Sequence, residues 1–226
     1  MLNFLHGDKY SVALQLAAKF TANKADHRRP ILHYVNHSSD GIMEVTDSVR
    51  AIRFHNIHGF DKNYLIHPKT FNIALGKYPD LEPLVNADEH DLVVTLSKEQ
   101  IHLWYQLFRS INNTFKTVKT GGRTDRDKTV SLFFKKDGVK VRLNDLKVDM
   151  ELPATVNLVG ATSVAMNAEY LRDAMEVFSK MESNEVKIKT KGAFRIVHLE
   201  DDKQTEVIVL PIRLAQPPVE EGLEIG

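Results

Sequence analysis

The chain has 226 residues, 42% of them hydrophobic, and its thirty basic and thirty acidic side chains cancel to a formal charge of zero. That length allows one large domain or two of ordinary size, and the balanced charge excludes a global pull toward nucleic acid or membrane, leaving only local clusters to supply one. The absence of cysteine excludes disulfides and thiol chemistry. No apolar run approaches the ~20 residues of a membrane span and no signal-peptide core opens the chain, so a soluble, cytoplasmic protein without membrane partners is expected.

Residues 2–6 read as a short strand. Asp8 is placed to cap a helix whose apolar stripe is Tyr10, Ala13, Leu14, Ala17, Ala18 and Phe20. Lys19 and Lys24 fall at its C-terminal end, where positive charge suits the helix dipole. Pro30 opens an extended stretch over 31–36, Ser38-Ser39-Asp40-Gly41 is a turn, and 42–46 and 49–54 read as strands. Residues 64–66 make another strand. Pro68 suits the first position of a helix through Leu75, which Gly76 would end as a left-handed cap. Tyr78-Pro79-Asp80-Leu81-Glu82-Pro83-Leu84 follows at once, with no strands between.

The order then restarts. Residues 91–96 form a strand, and Ser97-Lys98-Glu99-Gln100 is a capping box opening a helix to about Ile111 that buries Ile101, Trp104, Tyr105 and Phe108. Residues 116–128, with Gly121-Gly122 and several bases, read as a loop. A hairpin about Lys136-Asp137-Gly138 joins strands 129–134 and 138–143, and 147–152 adds a third. Residues 163–166 are a strand, Asn167 caps a helix to about Met181, and strands at 185–190, 193–199 and 206–210 follow. The five apolar residues Val207 to Leu210 and Ile212 flank Pro211, which has no N–H to donate and stops the ladder. Residues 215–226 have no apolar period and are expected to be a disordered tail. Residues 89–214 thus repeat strand-helix-three-strands twice, and residues 1–88 show a shortened version of the same order, an internal repeat in two domains.

This order, together with four short motifs, resembles the bacterial sliding clamp, the beta subunit of the replicative DNA polymerase. Val209-Leu210-Pro211-Ile212-Arg213-Leu214 is similar to that family's closing strand with its Pro-apolar-Arg-Leu sequence. Thr46-Asp47-Ser48-Val49-Arg50 resembles the Thr-Asp-Gly-His-Arg turn of its middle domain, with Ser48 and Val49 replacing Gly and His. Tyr78-Pro79-Asp80-Leu81 is similar to the Phe-Pro-Asp-Tyr that closes that domain, and Val94-Thr95-Leu96 runs into a helix as its last domain does. The resemblance covers nearly the whole chain but only the middle and last of three domains, and the first of the two lacks the strands expected between Gly76 and Tyr78.

The resemblance implies an α+β DNA-clamp fold with helices on one side of antiparallel sheets, and a non-enzymatic processivity factor without cofactor or metal. With two domains per chain, a six-domain ring around duplex DNA requires three copies. The implied DNA-facing bases are Lys19, Lys24, Arg28, Arg29, Lys69, Lys98, Arg109, Lys116, Arg123, Arg126 and Arg172; each of them also reads as an ordinary solvated base. The implied partner groove, for short linear peptides of polymerase and clamp loader, has walls from Thr46, Arg50, Pro79 and Leu84 and from Ile208, Val209, Leu210, Pro211, Ile212 and Arg213. Arg50 and Arg213 read equally well as structural bases. Among the ten histidines, His33/His37 and His55/His58 come without a carboxylate motif for zinc, and Thr120-Gly121-Gly122 lacks the Lys-Ser/Thr of a phosphate loop. The shortened first domain keeps a second reading open, a phage-type adaptor or decoy that binds host replication proteins without forming a ring.

Overall fold

The computed structural model describes residues 5–22, 28–85, 90–117, 128–143, 146–158 and 163–219. The first apolar stripe forms α1 (Tyr10–Ala17), which buries Ala13, Leu14, Leu16 and Ala17 and tightens into a 3-10 turn at Ala18–Phe20. Lys9 rather than Asp8 holds its N-cap position, without a side-chain bond. Pro30 begins not an extended stretch but a 3-10 helix, Pro30–His33, for which its fixed φ is as well suited. Extended backbone starts at β1 (Val35–His37) and continues in β2 (Met43–Thr46), β3 (Arg50–Phe54) and β4 (Tyr64–Ile66). Gly41, at φ 87°, makes the turn between β1 and β2 and donates its N–H to Ser38 O.

The helix expected from Pro68 to Leu75 does not form. The His67 ring nitrogen Nδ1 accepts the backbone N–H groups of Lys69 and Thr70, and Phe71 takes a left-handed φ of 57°. Those bonds satisfy the donors locally and reverse the chain. β5 (Ile73–Ala74) then pairs antiparallel with β4, so Lys69 sits in a turn and Gly76 caps nothing.

After the single turn α2 (Glu82–Val85), β6 (Leu92–Ser97) leads into α3 (Lys98–Thr117). The capping box is reciprocal: Gln100 N–H donates to Ser97 Oγ, and Ser97 N–H to Gln100 Oε1. α3 outruns its expected end because Asn112 is buried with its amide donating to Phe108 O and Ala168 O. The remaining elements are β7 (Thr129–Lys135), β8 (Gly138–Leu143), β9 (Val148–Leu152), β10 (Thr155–Leu158), β11 (Ser163–Asn167), α4 (Ala168–Met181), β12 (Glu185–Thr190), β13 (Val197–Asp201) and β14 (Thr205–Val209). Asn167 caps α4 by accepting the Glu169 N–H.

Two antiparallel sheets result. One has four strands in the order β11-β7-β8-β9; the other has ten, β10-β6-β12-β13-β14-β3-β2-β1-β4-β5. The two halves of the second unit exchange leading strands: β6 joins β12–β14, and β11 joins β7–β9. The ten-stranded sheet is mirrored about the β14–β3 seam, with β13, β12, β6 and β10 on one side answering β2, β1, β4 and β5 on the other. Among the described residues the first unit has no counterpart of the four-stranded sheet or of α3.

One core runs through both units. Phe20, Ile52 and Phe54 belong to the same buried cluster as Trp104, Phe108, Phe178, Leu199 and Val207. Three helices cover one face of the long sheet, with α4 packed between α1 and α3. None of the described helices is long and apolar enough to cross a membrane. Past Leu214, the first part of the expected disordered tail is tied down: Ser163 Oγ donates to Pro218 O at 2.7 Å.

Candidate functional site

Alternation along β3 and β14 sorts the expected groove residues between the two faces of the sheet. Ile52, Phe54, Val207 and Val209 enter the core beneath the helices. Ala51 and Ile208 enter a separate cluster with Leu81 on the opposite, outer face. Arg50 goes with the helix side, a correction to its place in the groove. Its guanidinium lies between the rings of Phe20 and Tyr170, 4.8 and 4.4 Å from their centroids. It bonds Asp173 at 2.6 Å, Asp47 at 2.9 Å and the carbonyl of Lys19 at 2.6 Å. Val209 is likewise a core residue and not a groove wall.

Thr46 holds the 46–50 turn together. Its Oγ1 donates to Arg50 O and accepts the N–H of Ser48, which sits at φ 84°. The Tyr78 hydroxyl accepts the Thr46 N–H. Pro79 is exposed, and Ile212 is tied to the four-stranded sheet, its N–H donating to Ala165 O on β11.

A cleft of about 750 Å³ opens on the outer face between α2 and the β13–β14 end of the sheet. Its apolar lining is Leu84, Val85, Phe194, Ile196 and Leu210, while His90, Lys191, Arg195, His198 and Arg213 supply the polar part. Of the expected groove residues, it brings together Leu84, Leu210 and Arg213. Ile208 packs with Leu81, Val85 and Ile196. Arg53, nearly buried on the same face, meets Glu82 at 2.8 Å, Glu44 at 3.2 Å and Glu206 at 3.4 Å, which pins α2 over the sheet and fixes the cleft wall.

His198 is the residue that reading the sequence missed. It is 6% exposed, its Nδ1 lies 3.8 Å from Glu200, and its Nε2 has no hydrogen-bond partner. Burial lowers its pKa against the pull of Glu206 and Glu200, so the ring is neutral at pH 7. The available signal was a polar residue between the core residues Val197 and Leu199, which alternation sends to the other face. The lining residues can bind and orient a ligand, and none of them is a nucleophile paired with a base.

On the helix face the expected DNA-contacting bases divide. Lys19 bonds Glu176 and approaches Asp173, and Arg172 bonds Glu169 and Asp173, so both neutralise acids on α4. Lys98, Arg109 and Lys116 are exposed on α3, which carries no acid after Glu99. Arg28 and Arg29 are exposed beside the Pro30–His33 helix. Lys24, Arg123 and Arg126 lie outside the described residues.

No protein-family model matches the chain, and no curated protein sequence matches it. Solved structures do. The DNA polymerase sliding clamp of Bacillus subtilis superposes with a TM-score of 0.72 at 14% identity, over 95% of this chain and 66% of that one. A putative DNA polymerase III beta subunit from Eubacterium rectale gives 0.72 at 11% identity, over 96% and 68%. The beta subunit from Borrelia burgdorferi, in complex with a natural product, gives 0.69 at 15%, over 95% and 66%. The chain thus spans about two thirds of the length of these clamps. With its antiparallel sheets, helix-covered face and repeated halves, the chain has the fold of the DNA polymerase III beta subunit sliding clamps.

Proposed function

We propose that this chain is a sliding-clamp-like processivity factor of DNA replication. Copies of it close a ring around duplex DNA with α3 toward the phosphates, and the outer cleft tethers polymerase and clamp loader through short linear peptides. The supporting observation is the separation of two surfaces by one continuous sheet: a helix face on which α3 offers Lys98, Arg109 and Lys116, and an opposite face carrying an open apolar cleft. Sliding needs weak, sequence-independent phosphate contacts, and tethering needs apolar pockets for anchor side chains. Both are binding functions and require no turnover.

The incomplete first unit favours a second reading. Among the described residues it sets one α-helix, α1, on the helix-covered face where the second unit sets α3 and α4, and its edge leaves Phe71, Ile73 and Leu75 at 65%, 66% and 81% exposure. A protein of this shape can keep the cleft and forgo the ring, acting as an adaptor or decoy for replication proteins. Light scattering over a concentration series separates the two. A trimer retained on circular but not on linear DNA supports the ring, whereas a monomer that binds partner peptides and falls off circular DNA overturns it in favour of the adaptor.

A further inference from the structure

The cleft carries more positive and polar character than an apolar peptide anchor requires. The arginines of the described strands are matched by acids: Arg50 by Asp47 and Asp173, Arg53 by three glutamates, Arg142 by Asp149. Arg195, in the loop before β13, and Arg213, in the segment after β14, break this pattern. Both are exposed, both line the cleft, and neither makes an ion pair among the described residues. Between them Leu84, Phe194 and Leu210 are exposed large apolar side chains gathered on the same cleft, which is how a surface built for a partner differs from scattered apolar exposure. Among the described lining residues none is acidic.

His198 adds an independent sign of a missing ligand group. A buried polar atom without a partner costs free energy unless something completes it. The Glu200 carboxylate near Nδ1 favours the tautomer protonated there, so the Nε2 lone pair is left to accept an N–H from whatever fills the cleft.

We infer that the occupant is a short extended peptide in which acidic side chains flank an apolar anchor, with Arg195 and Arg213 pairing with the carboxylates and His198 Nε2 accepting a peptide N–H. The inference rests on the peptide-cleft reading above and adds the chemistry of the partner. Two guanidinium groups on separate chain segments call for more than one carboxylate, which acidic side chains supply and a single chain terminus does not.

Fluorescence anisotropy on the full chain tests it with labelled peptides of about ten residues, all C-terminally amidated, carrying a Leu-Phe anchor flanked by Asp/Glu, Ser or Lys. The acid-flanked peptide is expected to bind about tenfold more tightly than the Ser-flanked one at about 0.1 M salt, with the Lys-flanked one weakest. In the Arg195→Ser/Arg213→Ser variant, or near 1 M salt, that ratio falls toward one. His198→Phe weakens every peptide by about fivefold or more and leaves the ratio, while His198→Gln, which keeps an acceptor, restores most of the loss. Equal binding of acid- and Ser-flanked peptides, or a ratio that survives the double substitution, overturns the inference and leaves the cleft reading standing. A gain obtained only by freeing the C-terminal carboxylate overturns it in favour of a terminus-binding site. Absence of binding by any peptide overturns the cleft reading and the inference with it.

Discussion

Asp173 is 2% exposed, and its carboxylate is held by Arg50 from β3 and Arg172 from its own helix. Removing Arg50 leaves that charge short of its best partner inside the core. Arg50→Met is therefore expected to destabilise the fold by roughly 3 kcal/mol, read from urea unfolding, and adding Asp173→Asn should recover part of the loss. A second buried group sets a pH dependence. His37 is fully buried against the Tyr10 hydroxyl at 3.0 Å, and burial first, then the neighbouring His58, lowers its pKa to about 4. The unfolded chain takes up this proton near pH 6.5 while the folded one refuses it until about 4. The stabilisation is thus complete above pH 6.5 and is lost as the pH falls toward 4, by roughly 3 kcal/mol. His58, also lowered by burial, acts in the same direction. The urea midpoint of His37→Gln should change less between about pH 7.5 and 5 than that of the parent chain; an equal change would assign the dependence to other groups. A structural role for Arg50 was legible as one reading of that base, but not its bond to Asp173, 123 positions away, nor the His37–Tyr10 contact, 27 positions away.

Elements with strong local signals were legible. The capping box at Ser97, the Asn167 cap and the Gly138 hairpin stand where local chemistry put them, because each satisfies its own backbone groups without tertiary help. Pro68 misled because proline at a helix start is permissive, whereas the His67 ring, which captured the next two N–H groups, decided the outcome. β10 escaped notice because Thr155–Leu158 is a short strand at the edge of the described sheet, paired with β6. The expected groove residues Ile208 to Arg213 lie on and just after β14, and reading the sequence left open which face each presents: the register of β14 against β3 decides that, and it is a non-local fact. At this scale α3 makes the testable DNA claim. Lys98→Ser, Arg109→Ser and Lys116→Ser together should weaken DNA retention and flatten its salt dependence, by about 0.9 in log–log slope for each phosphate that is no longer neutralised. Arg172→Ala should instead lower stability with little change in that slope, since its charge is spent on Glu169 and Asp173.

In the whole molecule the β3–β14 seam joins two units into one sheet over one core. Unfolding followed by far-ultraviolet circular dichroism and by Trp104 fluorescence should therefore give coincident transitions; separated midpoints would mean that the units melt independently. The β4–β5 end of the sheet is its weak point, an open edge with exposed apolar side chains. Ile73→Lys should lower self-association in a light-scattering series if that edge takes part in contacts between copies. The seam also sets a timetable for synthesis. β3 is made about 150 residues before the β14 that covers it, and at ribosomal rates of ~5–20 residues per second that interval lasts about eight to thirty seconds. Throughout it the edge of Arg50–Phe54 that faces away from β2 has no strand to pair with, a template for wrong partners. The strand that completes the first unit's exposed edge is thus translated long after that unit, and a chaperone able to shield an extended edge would be needed by the first unit until β14 arrives.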